Sequence, residues 1–129
     1  MRHIPRKRLQ ESCNILCMVV GIGIIEIFIV ESRSLKEKRG VLRRILSRTQ
    51  NKFSISIAEV GENDKWKRGQ IGFAVVGNDR SFVNSRLDKI IRFIEDLKIA
   101  DVINSEIELI NISDTANNYA YKEGKSDEF

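Results

Sequence analysis

Alternating apolar side chains between Val19 and Val30 constrain the fold of this chain more than any other feature. A period of two with so many β-branched residues predicts a β-strand. One face of that strand would carry Ile25, Ile27 and Ile29, and the opposite face would carry Ile22, Ile24, Glu26 and Phe28. Both faces are mostly apolar, which is typical of a buried strand.

A helix start follows directly after this strand. Ser34-Leu35-Lys36-Glu37 has the spacing of a capping box, in which the Ser34 hydroxyl accepts from the amide of Glu37 and the Glu37 carboxylate accepts from the amide of Ser34. At roughly 100° per residue, the apolar side chains that follow fall on one stripe. That stripe, which we expect to face the core, consists of Leu35, Leu42, Ile45, Leu46 and Thr49.

Four further elements are predicted from the rest of the sequence. The segments Phe53 to Val60 and Ile71 to Val76 alternate as strands, and the polar connection Gly61 to Gly69 between them indicates a hairpin. Apolar residues recur at helical spacing from about Arg80 to Leu97, and Glu106 to Ile112 alternates again.

The resulting order, βαββαβ, predicts an α+β fold. Two split βαβ units with right-handed crossovers form a ferredoxin-like sandwich, a four-stranded antiparallel sheet with both helices on one face. We expect this domain over residues 18–112, between a flexible N-terminal extension at 1–17 and a mobile C-terminal tail at 113–129. The open sheet face would expose Ile22, Ile24 and Phe28 beside Ala58 and Val60, so we expect a homodimer formed through that face.

The scarcity of His and Cys argues against several enzyme classes. The 129 residues include one His and two Cys, so a Ser/His/Asp triad would depend on His3, and a zinc site would lack ligands. Cys13 and Cys17 form neither a zinc motif nor a disulfide framework. We therefore expect a reduced cytoplasmic chain with no catalytic residues, no metal and no cofactor.

The apolar segment from Ile15 to Val30 follows several basic residues and could suggest a membrane anchor. It is shorter than the roughly 20 residues that span a bilayer, and it contains Glu26. A buried strand explains the segment better, and we expect no membrane association.

The positive charge of the chain is concentrated in the first predicted helix. Residues 33–52 contain eight basic side chains and one acidic side chain, whereas the rest of residues 18–112 has an excess of acidic ones. No acidic residue lies four positions from Arg39, Arg43 or Arg44, so these charges lack helical partners. The segment is therefore either a phosphate-binding surface for RNA or a solvated face, and its candidate RNA contacts are Arg33, Lys36, Arg39, Arg43, Arg44 and Arg48.

The predicted hairpin connection carries a second basic group, Lys65, Lys67 and Arg68, around Trp66. An aromatic ring among cations is a stacking platform for unpaired bases. Alternatively, Trp66 folds back over the hairpin. In the predicted topology this connection lies near the start of the first helix, so the two basic elements would form one RNA-binding surface.

Two charged residues occupy positions where apolar ones are expected. Lys38 falls among Leu35, Leu42 and Ile45, and Glu59 lies on a strand face that is otherwise apolar. Since a buried charge needs a partner, we predict a structural ion pair between Lys38 and Glu59. A catalytic Lys/Glu pair is the alternative.

Two segments of the chain closely resemble the YlxP-like family, domain of unknown function 503. They are RSLKEKRGVLRRIL (33–46) and SISIAEVGENDKWKRGQIGFAVVGND (54–79). The resemblance covers about residues 18–110. It implies a small bacterial ferredoxin-like protein without established enzymatic activity, whose genes often lie beside those for ribosome-binding factor A and translation factors. This chain departs from the family in its terminal segments and at Gly23 and Gly40, where larger residues would be more usual.

The sequence thus leads to a nonenzymatic protein that binds RNA or a ribosomal particle, in ribosome maturation or translation. The alternative is a homo-oligomeric interaction module that docks an acidic protein. An enzymatic alternative places an anion at the turn Glu31 to Ser34 with help from Arg33, as acylphosphatases of this fold do, although the capping box occupies some of the amides.

Overall fold

The computed structural model describes residues 17–112, which form four strands and two helices. The elements in chain order are β1 (Val19–Phe28), α1 (Leu35–Phe53), β2 (Ser56–Gly61), β3 (Arg68–Gly77), α2 (Arg80–Leu97) and β4 (Asp101–Asn111). The strands form one antiparallel sheet in the order β2-β3-β1-β4, against which both helices pack. The predicted α+β ferredoxin-like fold is confirmed. Residues 1–16 of the predicted extension and the tail at 113–129 lie outside the described residues.

The core lies between the helices and one face of the sheet. Alternate residues of β1 are buried, as the period of two predicts, and α1 and α2 contribute residues at helical spacing. The most deeply buried apolar side chains are Val19, Ile25, Ile27, Ile45, Ile71, Val83, Leu87 and Ile90. Gly23 belongs to the same face, and a Cβ there would lie 2.4 Å from the ring of Phe73. The ring of Phe73 therefore requires glycine at this position, where the sequence comparison led us to expect a larger residue.

Two local predictions differ most from the structure. Phe53 ends α1 instead of starting a strand, because Ser54 adopts a left-handed conformation (φ 53°) and its amide donates to the carbonyl of Gln50. The last strand begins at Asp101, five residues before the predicted Glu106. Its alternation is interrupted where the β1 register shifts between Glu26 and Ile27, which leaves an additional residue in β4.

The sheet face away from the helices carries apolar side chains from all four strands. Ile24 is 44% exposed and Val76 is 61% exposed. Other exposed apolar residues on this face are Ile22, Val60 and Ile110. Between them, Gly72 and Ala74 of β3 form the floor of a shallow depression. The expected open apolar face is thus present.

Three connections meet at one end of the sheet, where β1 ends and both β3 and β4 begin. They join β1 to α1, β2 to β3, and α2 to β4. The first two are joined directly: the amide of Ile29 donates to the carbonyl of Lys67 at 2.7 Å, and Lys67 Nζ donates to the carbonyl of Val30 at 2.5 Å. This end therefore brings the start of α1 and the hairpin connection together.

Candidate nucleic-acid interface

The basic residues of α1 form an exposed surface on the side of the helix away from the core. Leu42, Ile45 and Thr49 are buried beneath it. Among residues 17–112, none of its members makes an ion pair within 4 Å. We call these five residues the basic face: Lys36, Arg39, Arg43, Arg44 and Arg48, all exposed. At 1.5 Å per residue it extends along about 18 Å of the helix axis.

The start of α1 is capped by Ser34 and Glu37, with one difference from the predicted capping box. Ser34 Oγ accepts from the amide of Glu37 at 3.1 Å, as expected. The Glu37 carboxylate accepts from the amide of Arg33 at 2.7 Å and not from that of Ser34. Two amides of this turn, those of Arg33 and Glu37, are therefore already bound by side chains, and the acylphosphatase-like alternative stays a prediction.

The hairpin connection presents its aromatic ring to solvent. Trp66 is 55% exposed, so it does not fold back over the hairpin. Lys65, Lys67 and Arg68 are exposed around it. Lys65 Nζ lies 4.0 Å from the carboxylate of Glu62, and Lys67 is engaged with the carbonyl of Val30, so part of the cationic charge is balanced locally. Trp66 and its basic neighbours therefore form a surface next to the start of α1.

Lys38 connects α1 to the hairpin from inside the domain. Its side chain is 1% exposed. Lys38 Nζ donates to the carbonyls of Glu62 at 2.5 Å and Arg68 at 3.0 Å, and it lies 3.4 Å from Glu59 Oε2. The structure thus brings Lys38 and Glu59 together as predicted, but the hydrogen bonds of the ammonium group go to two main-chain carbonyls that sequence patterns cannot reveal.

These contacts give Lys38 a structural role. An ammonium group has three N–H donors, and two carbonyls and one carboxylate oxygen occupy the space around them. Glu59 Oε2 is buried and accepts no hydrogen bond, so the ion pair is its main stabilising interaction. By holding the residues on both sides of the hairpin connection, Lys38 fixes the position of Trp66 relative to α1.

The sequence patterns did not predict a cleft beside the basic face. It opens between α1 and the connection from α2 to β4, and it has a volume of about 580 Å³. Arg44 of the basic face lines it, together with Gly40 and Val41 of α1. The only sequence signal was Gly40, a glycine inside a helix.

Among the described residues, no three His, Cys, Asp or Glu side chains come together as metal ligands. No helix of residues 17–112 has the length and apolar character needed to cross a membrane. Cys17 is partly buried and packs against the core. The other cysteine, Cys13, lies outside the described residues.

Comparison with known proteins places this fold and surface in a family. The family model described as "Protein of unknown function (DUF503)" matches residues 20–107. The uncharacterized protein YlxP of Bacillus subtilis (strain 168) is 43% identical over 77 residues, which cover 60% of this chain and 84% of that protein. The de novo designed protein Foldit4 aligns with 20% identity and a TM-score of 0.37 over 74% of this chain and 96% of its own, a likeness too weak to bear on fold or function. Both the family match and the identity to YlxP show that the chain belongs to the YlxP-like DUF503 family.

Proposed function

We propose that this protein binds RNA, free or within a ribosomal particle, through the phosphates of an unpaired strand. It would act as a cytoplasmic binding protein in ribosome maturation or translation and not as an enzyme. The observation that carries the proposal is the basic face of α1, whose five cations are exposed and make no ion pair within residues 17–112. Unbalanced cations at close spacing repel one another, and bound phosphates would relieve that repulsion.

The hairpin connection extends this surface. Lys67 bonds to the loop that precedes α1, and Lys38 holds the residues on both sides of Trp66 against the helix. The exposed indole ring is therefore held in place beside cations, the arrangement that single-strand binders use to stack bases. Phosphate contacts along α1 and a stacked base at Trp66 would bind one strand together.

Salt titration tests the phosphate contacts. With about three to five contacts to unpaired RNA, the slope of log K against log salt concentration is expected between about −2 and −3.5, because each neutralised phosphate releases counterions. Fluorescence anisotropy with a labelled RNA oligonucleotide measures it. Trp66→Ala is expected to weaken binding by about 1 to 3 kcal/mol without changing this slope, since it removes stacking but no charge. A flat salt dependence would contradict the proposal.

The competing function, docking of an acidic protein, uses the same cations. It differs in the ligand: an acidic protein partner would be retained from cell extract after ribonuclease treatment, whereas an RNA-bound particle would be lost. The exposed indole ring favours RNA, because a docking surface for carboxylates gains little from an aromatic ring held among cations.

We further propose a homodimer through the open sheet face, most simply about a twofold axis. Ile24→Asp is expected to give a monomer or an insoluble chain, because it places a charge in the exposed apolar surface that the dimer would bury. Val30→Asp is the control, since Val30 is also exposed but lies on the connection after β1. Light scattering measures the mass, and a monomeric unmodified protein at high concentration would refute the dimer.

A further inference from the structure

The cleft beside the basic face has the size and walls of a ligand site. Its volume of about 580 Å³ lies within the range of small-ligand pockets. Val41 of α1 lines one side, and Ile99 and Ala100 of the connection to β4 line the other. These side chains offer apolar walls on which the face of a planar ring can pack.

Gly40 keeps this cleft open. A glycine inside a helix is less favourable than alanine, and such glycines usually have a close neighbour that excludes a side chain. Gly23 has such a neighbour in Phe73. At Gly40, a Cβ would meet no atom within 4 Å. Packing within residues 17–112 therefore does not require glycine here, and the missing side chain leaves this wall of the cleft open.

The polar groups of the cleft suit a nucleotide. Arg44 belongs to both the basic face and the cleft, and Lys98 adds a second cation, so a strand bound along α1 has phosphate contacts at the cleft. Three carboxylates, those of Glu31, Glu37 and Asp101, also line it, and Glu37 is held in place by its bond with the amide of Arg33. A carboxylate only accepts hydrogen bonds, so it pairs better with the amino group of adenine or cytosine than with uracil, whose N3–H donor lies between two carbonyl oxygens that repel a carboxylate.

We propose that this cleft binds one nucleobase of the RNA strand whose phosphates contact the basic face. The base would lie over Gly40 between the apolar walls, with its amino group toward Glu37 or Asp101. The inference rests on the proposed RNA binding and adds a specificity to it: adenine and cytosine are favoured over uracil at one position of the strand.

The test compares labelled octamers of adenylate, cytidylate and uridylate by fluorescence anisotropy at one salt concentration. The wild-type protein is expected to bind the adenylate or the cytidylate octamer about fivefold or more tightly than the uridylate octamer. Gly40→Leu places a side chain in the cleft, so it is expected to remove this preference. Because leucine is a better helix former than glycine, the melting midpoint of this variant should stay at or above that of wild type.

Ser47→Leu is the matched control. It adds the same side chain two turns along the same side of α1, at an exposed position outside the cleft, so the preference is expected to remain. Trp66→Ala should weaken all three octamers and keep their ratio. If wild type binds all three octamers equally, or if Gly40→Leu keeps the preference, the base site is refuted while RNA binding stands. If no octamer binds at low salt, the proposed function itself fails.

Discussion

Replacing Lys38 by alanine is expected to lower the free energy of unfolding by about 3 kcal/mol. The change leaves the carbonyls of Glu62 and Arg68 without their donor, and it leaves the carboxylate of Glu59 next to an empty space. The carboxylate retains partial access to solvent, since the Glu59 side chain is 26% exposed, so the two carbonyls account for much of the loss. Urea melts monitored by circular dichroism measure this effect.

Two comparisons separate the contributions of Lys38. Glu59→Gln keeps both carbonyl bonds and is expected to cost only about 1 kcal/mol. Replacing Lys38 and Glu59 together by methionine removes the uncompensated carboxylate but leaves both carbonyls unsatisfied, so stability recovers in part. Arg39→Ala, on the exposed side of the same helix, should change stability by less than about 0.5 kcal/mol. Equal stability of wild type and Lys38→Ala would show that the ammonium group is solvated.

Replacing Arg39, Arg43 and Arg44 together by glutamate is expected to weaken RNA binding by more than about a hundredfold at low salt. The change removes three phosphate contacts and puts three negative charges in their place. The helix should remain folded, because these side chains are exposed and the buried stripe of Leu42 and Ile45 is untouched. Anisotropy titration with a labelled oligonucleotide measures binding, and circular dichroism checks the fold.

The control for this variant changes net charge equally on another surface. Arg80, Lys89 and Arg92 of α2 are exposed, and their joint replacement by glutamate alters the total charge by the same amount. If RNA binding depends on the local arrangement along α1, this second triple variant should lose far less affinity. Equal losses in both variants would mean that only the total charge matters. Unchanged binding of the α1 variant would make the basic face a solvated surface and favour the acidic-protein alternative.

The secondary structure followed from local patterns wherever one period held over many residues. The alternation in β1 and the helical spacing in α2 predicted elements whose bounds agree, or nearly agree, with those in the structure. The patterns failed where tertiary contacts interrupt them. A bulge in β4 breaks the alternation before Glu106. The left-handed conformation of Ser54 ends the helix directly after Phe53, so Phe53 belongs to α1. The Phe53 ring packs edge-on against Phe93, with ring centroids 5.5 Å apart.

The candidate site could be predicted only in part from these sequence patterns. Charge counting found the basic face, because helical periodicity alone places those residues opposite the apolar stripe. Lys38 was recognised as buried because it interrupts that stripe. The bonds of Lys38 to the carbonyls of Glu62 and Arg68 were beyond prediction, since main-chain groups leave no trace in side-chain patterns.

Patterns among residues close together in the chain are enough to predict the order of the strands and helices, the apolar stripe of each helix and the concentration of positive charge on α1. Tertiary structure alone decided which loops meet, and so placed Trp66 beside the start of α1. It also decided that Gly40 lies over open space while Gly23 lies against an aromatic ring. Both are glycines inside regular elements, and only residues distant in the chain distinguish them, because the space around a side chain is set by its neighbours in three dimensions.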